Sequence, residues 1–387
     1  MKTLLANLSA RRVLFVAVPL ILLGWLVHIW PTTRGTSRAR LTIALPAFRN
    51  IYPLTALAYS PDGKTIAGMS EGRSWLFDAD SGELKGSYQN GAGDFLSWSR
   101  DKRKIVAADS DLWIWDIAHP EKSFAQSLPM GGSKKITRFG TESDQFCTVS
   151  PDAALAGCAL NHELNDKPWK DDSIAVWEVA TKKKVFQFPY NPAADGSKRR
   201  ICGLAFSADN TKLAFASLQM MFVPQKTTVD SIIKSGAKVT LLDARTGKTT
   251  ASFVWPNLQL WMTGYVNGSA NQLALAFSPD GQCLAGADSS SICLWDIKSG
   301  QLLQRMEIQK SARMGGFRRI LFSPDNQLIA GFWSQNIEVW DAKSGKRWRI
   351  FHPIGDCHVL AFSPDSQTLA SGSNDRQSYL QLWNVGH

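Results

Sequence analysis

The chain is short of the residues from which catalytic metal centres are built. Its six histidines, His28, His119, His162, His352, His358 and His387, are scattered, and no ligand spacing recurs among them. A metal site needs several His or carboxylate groups converging on one point. None of its six cysteines stands in a C-x-x-C pair, which argues against a zinc site or a thiol redox motif. Excess charge is also scarce once the N-terminus is set aside. Six basic residues and no acid precede Leu41, which leaves about +4 of the +10 net charge for everything after it. That is weak for a nucleic-acid binder, and none is expected as a partner. Charged residues make up 20% and hydrophobic residues 44%, a balance that excludes long disorder.

What is present begins with an apolar run. Residues 13–30 carry no formal charge and approach the length that crosses a bilayer. Trp25 and Trp30 lie towards the far end, where indoles favour the interface. The competing reading is a cleaved signal peptide, since Arg11 and Arg12 precede the run. Bulky Trp25, His28 and Trp30 occupy the place where small residues should mark cleavage, so a retained anchor is favoured. The expected organisation is a basic tail (1–12), a transmembrane helix (13–30), a linker (31–40) and one domain (41–387). Three basic residues flank the span on each side, and the Arg11-Arg12 pair abuts it. This places the tail inside and the domain on the periplasmic or extracellular side.

The domain is a repeat. A Ser-x-Asp turn follows a hydrophobic strand seven times, beginning at Ser60, Ser99, Ser150, Ser207, Ser278, Ser323 and Ser363. A later strand ends each time in a bulky residue, usually with an acid after it: Phe77-Asp78, Trp115-Asp116, Trp177-Glu178, Leu242-Asp243, Trp295-Asp296, Trp340-Asp341 and Trp383-Asn384. Both markers give seven copies, and one Trp or more per copy accounts for a total of fifteen. Pro or Asp in such turns presets the backbone or bonds to it. A four-stranded sheet cannot bury both faces alone, whereas seven stacked in a ring bury each other.

These residues resemble the WD-repeat family over 41–387, most closely from Leu360 to Asn384. The resemblance implies an all-β, seven-bladed propeller of four-stranded antiparallel blades. The family's Gly-His dipeptide is missing ahead of every inner strand, the sole Gly-His being Gly386-His387 at the C-terminus, although His352 falls near that position in the last blade. The polar network which that His anchors is therefore mostly missing, and apolar packing is expected instead. The last repeat stops after its third strand, so Leu41 to Leu45 is expected to complete blade seven and close the ring.

Blades three to five carry insertions: 129–145, 161–172, 191–200, 218–237 and 255–272. In a family propeller all five open on one face of the disc, and such insertions often mark the binding face. Two are unusually apolar, which singles out Met221, Phe222, Trp255, Leu260, Trp261 and Tyr265 as candidate contacts for a protein partner. The competing reading is that the two loops pack on each other as a roof.

Other motifs carry less. Gly68-Met69-Ser70-Glu71-Gly72 matches a nucleophile elbow, but it falls between two strands of blade one rather than at a strand-to-helix turn. Asp356 with His358, and His162-Glu163, are the best hints of a metal. Cys147 with Cys158, and Cys283 with Cys293, flank turns where antiparallel pairing would set them opposite. Free buried thiols are the expected state. Asn267-Gly268-Ser269 is a glycosylation sequon in a eukaryotic source only. The expected function is a membrane-tethered, non-catalytic interaction scaffold with no cofactor and no metal, the scaffold implied by the resemblance and the tether by residues 13–30. The alternative is a propeller hydrolase or lactonase with a metal at the channel mouth.

Overall fold

The computed structural model describes residues 27–29, 38–45, 54–70, 73–89, 95–108, 111–117, 128–129, 146–160, 173–190, 198–220, 237–258, 273–308, 319–333, 336–375 and 377–386. They form seven antiparallel sheets, one per repeat. Within blade one the order is Ala56–Tyr59, Thr65–Ser70, Arg73–Asp78 and Leu84–Gln89, each strand paired with the next in sequence. The other blades repeat this meander, and the outer strand described in blade two is the short Leu128–Pro129.

The same device folds every inner hairpin. In all seven turns the Ser hydroxyl donates to the Asp carboxylate two residues on, as in Ser60 to Asp62 at 2.6 Å and Ser207 to Asp209 at 2.6 Å. The same Ser oxygen accepts the backbone N–H five residues on. The Asp accepts a second N–H two residues beyond itself. This explains why the spacing is invariant within the chain while the middle residue varies. The hydrogen bonds also hold a left-handed residue in each turn, and only Gly63 and Gly281 are glycine there.

The core lies between the blades. Each bulky residue at the end of a third strand packs against the preceding blade. Trp115 meets Ala67 and Met69 of blade one, Trp340 meets Ile292 and Leu294 of blade five, and Trp383 meets Phe332 and Phe351 of blade six. Phe77 closes the circle by packing with Leu380 and Leu382 of blade seven.

Ring closure follows the sequence expectation. Leu41–Ala44 pairs with Gln377–Asn384, Leu41 opposite Leu382 and Ile43 opposite Leu380. Arg40 N–H donates to Leu382 O and Leu45 N–H to Ser378 O, bracketing the strand.

Several expectations are corrected. Val27–Ile29 is a fifth strand of blade seven, with Val27 opposite Ile43, where a helix over 13–30 was expected. Its backbone bonds sideways to a strand, so a helix does not continue through it. Residues 13–26 lie outside the described residues, and among those described no helix is long and apolar enough to cross a membrane. Four insertions are shorter than expected, the one after blade two because its outer strand includes Pro129. The second strand of blade four runs to Met220, its inner strand begins at Lys198, and its outer strand ends at Trp255.

The cysteines also differ from expectation. Cys147 and Cys158 are directly opposite and disulfide-bonded. Cys283 instead faces Asp296 and Cys293 faces Gly286. In place of the His-anchored network, Trp383 donates its indole N–H to Ser371 at 2.9 Å, and Trp333 to Glu338 at 2.9 Å. His352 sits outside the core with its Nδ1 2.9 Å from Asn336 Oδ1.

Candidate functional site

Alternate strands of an antiparallel sheet run the same way. The ends of the second and outer strands of every blade therefore emerge on one face of the disc. Residues 161–172 and 221–236 follow second strands, whereas 130–145, 191–197 and 259–272 follow outer strands. The strand ends that lead into all five lie on the same face, opposite the Ser-x-Asp turns. Val27 lies at that face as well, because it pairs with Ile43 near the end of the closing strand.

Of the six candidate contacts only Trp255 falls among the described residues, and it is a core residue. It is 3% exposed, and its ring meets Trp295 of blade five. Gly286 faces both indoles, where an added Cβ would come within 2.6 Å of Trp255. A partner anchor has to be reachable, so Trp255 is corrected to a residue that joins blades four and five. Met221, Phe222, Leu260, Trp261 and Tyr265 lie outside the described residues, as do His162, Glu163 and Asn267.

The channel mouth on this face carries a contact that the sequence pattern gave no sign of. The Arg319 guanidinium lies 4.4 Å from the centroid of Phe95. Arg319 opens the inner strand of blade six and Phe95 that of blade two. These blades are not neighbours, so the cation–π pair reaches across the mouth of the channel. Asp356 and His358 stand on the inner strand of blade seven. Among the described residues no three His, Cys, Asp or Glu side chains gather to hold a metal.

The elbow-like motif has no catalytic geometry. Ser70 ends the second strand of blade one and pairs with Arg73 of the third, so the chain makes a hairpin there and not a strand-to-helix turn. On the opposite face a groove of about 450 Å³ runs between blades one and two beside Tyr88 and Trp98. Its two ammonium groups are already engaged, Lys85 with Asp78 at 2.8 Å and Lys102 with Asp62 at 3.1 Å. The Ser60 hydroxyl hydrogen bond and the Lys64 backbone N–H hold the Asp62 carboxyl far below the usual range, and Lys102 adds to this.

Architecture and turns together define a closed seven-bladed β-propeller built from Ser-x-Asp repeats. The model of the WD domain, G-beta repeat, matches residues 262–296 and 351–383. Over those two stretches the chain matches WD40 repeats, and it resembles WD40-repeat β-propeller proteins. It is 35% identical over 78 residues to a 66 kDa stress protein of Physarum polycephalum, a stretch covering 19% of this chain and 13% of that protein. It is 30% identical over 109 residues to an uncharacterized WD repeat-containing protein of Schizosaccharomyces pombe, covering 27% of this chain and 18% of that one. Both matches span less than a fifth of the relative's length. The β-propeller domain of Cps50 (Swd1) from Myceliophteria thermophila superposes with a TM-score of 0.60 at 12% identity, over 89% of this chain and all of that one. At that identity the likeness concerns the fold alone.

Proposed function

We propose that this propeller is a non-catalytic scaffold that binds a protein partner through its insertion-bearing face. What supports the reading is that the strands leading into all five long connections of blades three to five end on one face of a closed disc. WD40 propellers typically serve as protein-interaction scaffolds. The apolar composition of residues 221–223 and 260–265 suits an interface core. Crosslinking the full-length chain in its own cells and mapping the sites tests it. Crosslinks confined to the rim or to the Ser-x-Asp face contradict the proposal.

Tethering by the N-terminal segment is the second part of the proposal, with the propeller on the non-cytoplasmic side. The support is the uncharged run that begins at Val13. Its two uses of Val27–Ile29 exclude each other. With those residues in the blade, 13–26 as a helix spans only about 21 Å against a hydrocarbon core of about 30 Å. Insertion therefore draws Val27–Ile29 off the edge of blade seven.

A further inference from the structure

We infer that the Cys147–Cys158 bond is a staple specific to blade three, formed because this propeller matures in an oxidising compartment. The repeat supplies its own control. Cys147 stands three residues before its turn Ser and Cys158 eight after, and the two are paired. The equivalent pairs are Leu57 with Gly68, Leu96 with Ala107, Leu204 with Phe215, Leu275 with Gly286, Ile320 with Gly331 and Leu360 with Ser371. Six blades thus place a large aliphatic residue at the first position, and five of them a small residue opposite it. Blade three alone departs from this pattern at both facing positions, and both departures are cysteine.

Location gives the staple a purpose. Ser150 and Asp152 close one end of this hairpin. At the other end the chain arrives from residues 130–145 and leaves into residues 161–172. Cys147 and Cys158 are both buried near that second end, their Cα atoms 4.1 Å apart. The bond therefore ties the two strands at the end of the hairpin that the Ser150 turn does not close.

The remaining cysteines stay thiols. Cys283, Cys293 and Cys357 face Asp296, Gly286 and Ser373 rather than one another, and Cys202 sits in a bulge. Burial pushes the Cys293 thiol up to about 11 and raises Cys357 as well. The attacking thiolate is thereby suppressed.

The bond forms by thiol–disulfide exchange with an oxidised dithiol carrier. One cysteine thiolate attacks the carrier disulfide and releases one carrier thiol. The second cysteine attacks the mixed disulfide and releases the other. Two electrons and two protons pass to the carrier, which leaves reduced. Such bonds persist in oxidising compartments and are rare in the cytosol. This inference does not depend on the proposed partner face or on the membrane anchor.

The test is a thiol count. The full-length protein is acid-quenched from its own cells, denatured and alkylated, and its intact mass is measured. Four alkylations before reduction and six after are expected, with peptide mapping joining Cys147 to Cys158. Six before reduction, or a bond mapped elsewhere, overturns the inference. A second measurement uses Cys147→Leu with Cys158→Gly, which installs the pair found in blades one and five. Reductant should lower the wild-type melting temperature by roughly 3–6 °C and leave the double variant unmoved. A wild type insensitive to reductant overturns the staple.

Discussion

Trp255 meets Trp295 edge to face, with ring centroids 5.1 Å apart and planes inclined at 71°. The first ends the outer strand of blade four and the second stands next to last in the third strand of blade five. The seam between two blades therefore depends on a residue that, by sequence alone, looks like part of an exposed loop. Trp255→Ala should cost about 3–5 kcal/mol of stability, in the range for truncating a buried aromatic. Urea unfolding measures it, and an unchanged midpoint would place the ring outside the core.

Closure of the ring gives a second expectation. Ile43 is buried among Leu54, Phe77 and Leu380, and joins the first blade to the last. A chain beginning at Pro53 should aggregate or melt well below one beginning at Thr36, because it leaves Gln377–Asn384 with an open edge. Ile43→Ala in the full chain should cost about 2–5 kcal/mol. Equal melting temperatures for the two shortened chains would mean that blade seven is completed another way.

How much of this was legible in the sequence divides by the kind of signal. Ser-x-Asp and the bulky third-strand endings repeat seven times, so strand order, blade number and the closing role of Leu41 to Leu45 were readable. Contacts between blades were not. Arg319 and Phe95 are over two hundred residues apart and belong to no repeated motif, and Trp255 resembles the apolar loop that follows it. The Cys147–Cys158 opposition was readable as geometry. The same geometry misled at Cys283 and Cys293, whose strands are paired in a different register.

The turn carboxylates predict a pH dependence. Hydrogen bonds from the Ser60 and Ser363 hydroxyls are the leading cause that lowers Asp62 and Asp365 below the ordinary carboxylate value. A folded value below the unfolded one stabilises the fold above the unfolded pKa, and that stability is lost as pH falls. Melting temperature should therefore hold steady above pH ~5 and fall below pH ~4. Asp365→Asn should flatten part of that fall, and an unaltered acid limb would contradict the assignment.

Membrane association has its own expectation. Full-length chain should resist alkaline carbonate extraction and keep its N-terminus. A soluble product beginning near Arg40 would show that the apolar run is a cleaved signal peptide. Protease protection in sealed vesicles reads the side on which the propeller lies.

The most direct test of the scaffold reading compares Phe222→Ala and Trp261→Ala with Trp348→Ala. Trp348 lies on the outer strand of blade six and is 43% exposed, so it serves as a rim control. Partner affinity, for the protein crosslinked in cells, and melting temperature are measured on each variant. The account predicts that Phe222→Ala and Trp261→Ala each lose about thirtyfold in affinity, the equivalent of ~2 kcal/mol at an interface anchor. Their melting temperatures should not change, and Trp348→Ala should bind normally. Unchanged affinity in both insertion variants, or a large fall in melting temperature for both, would contradict it and leave these loops as a roof over the propeller.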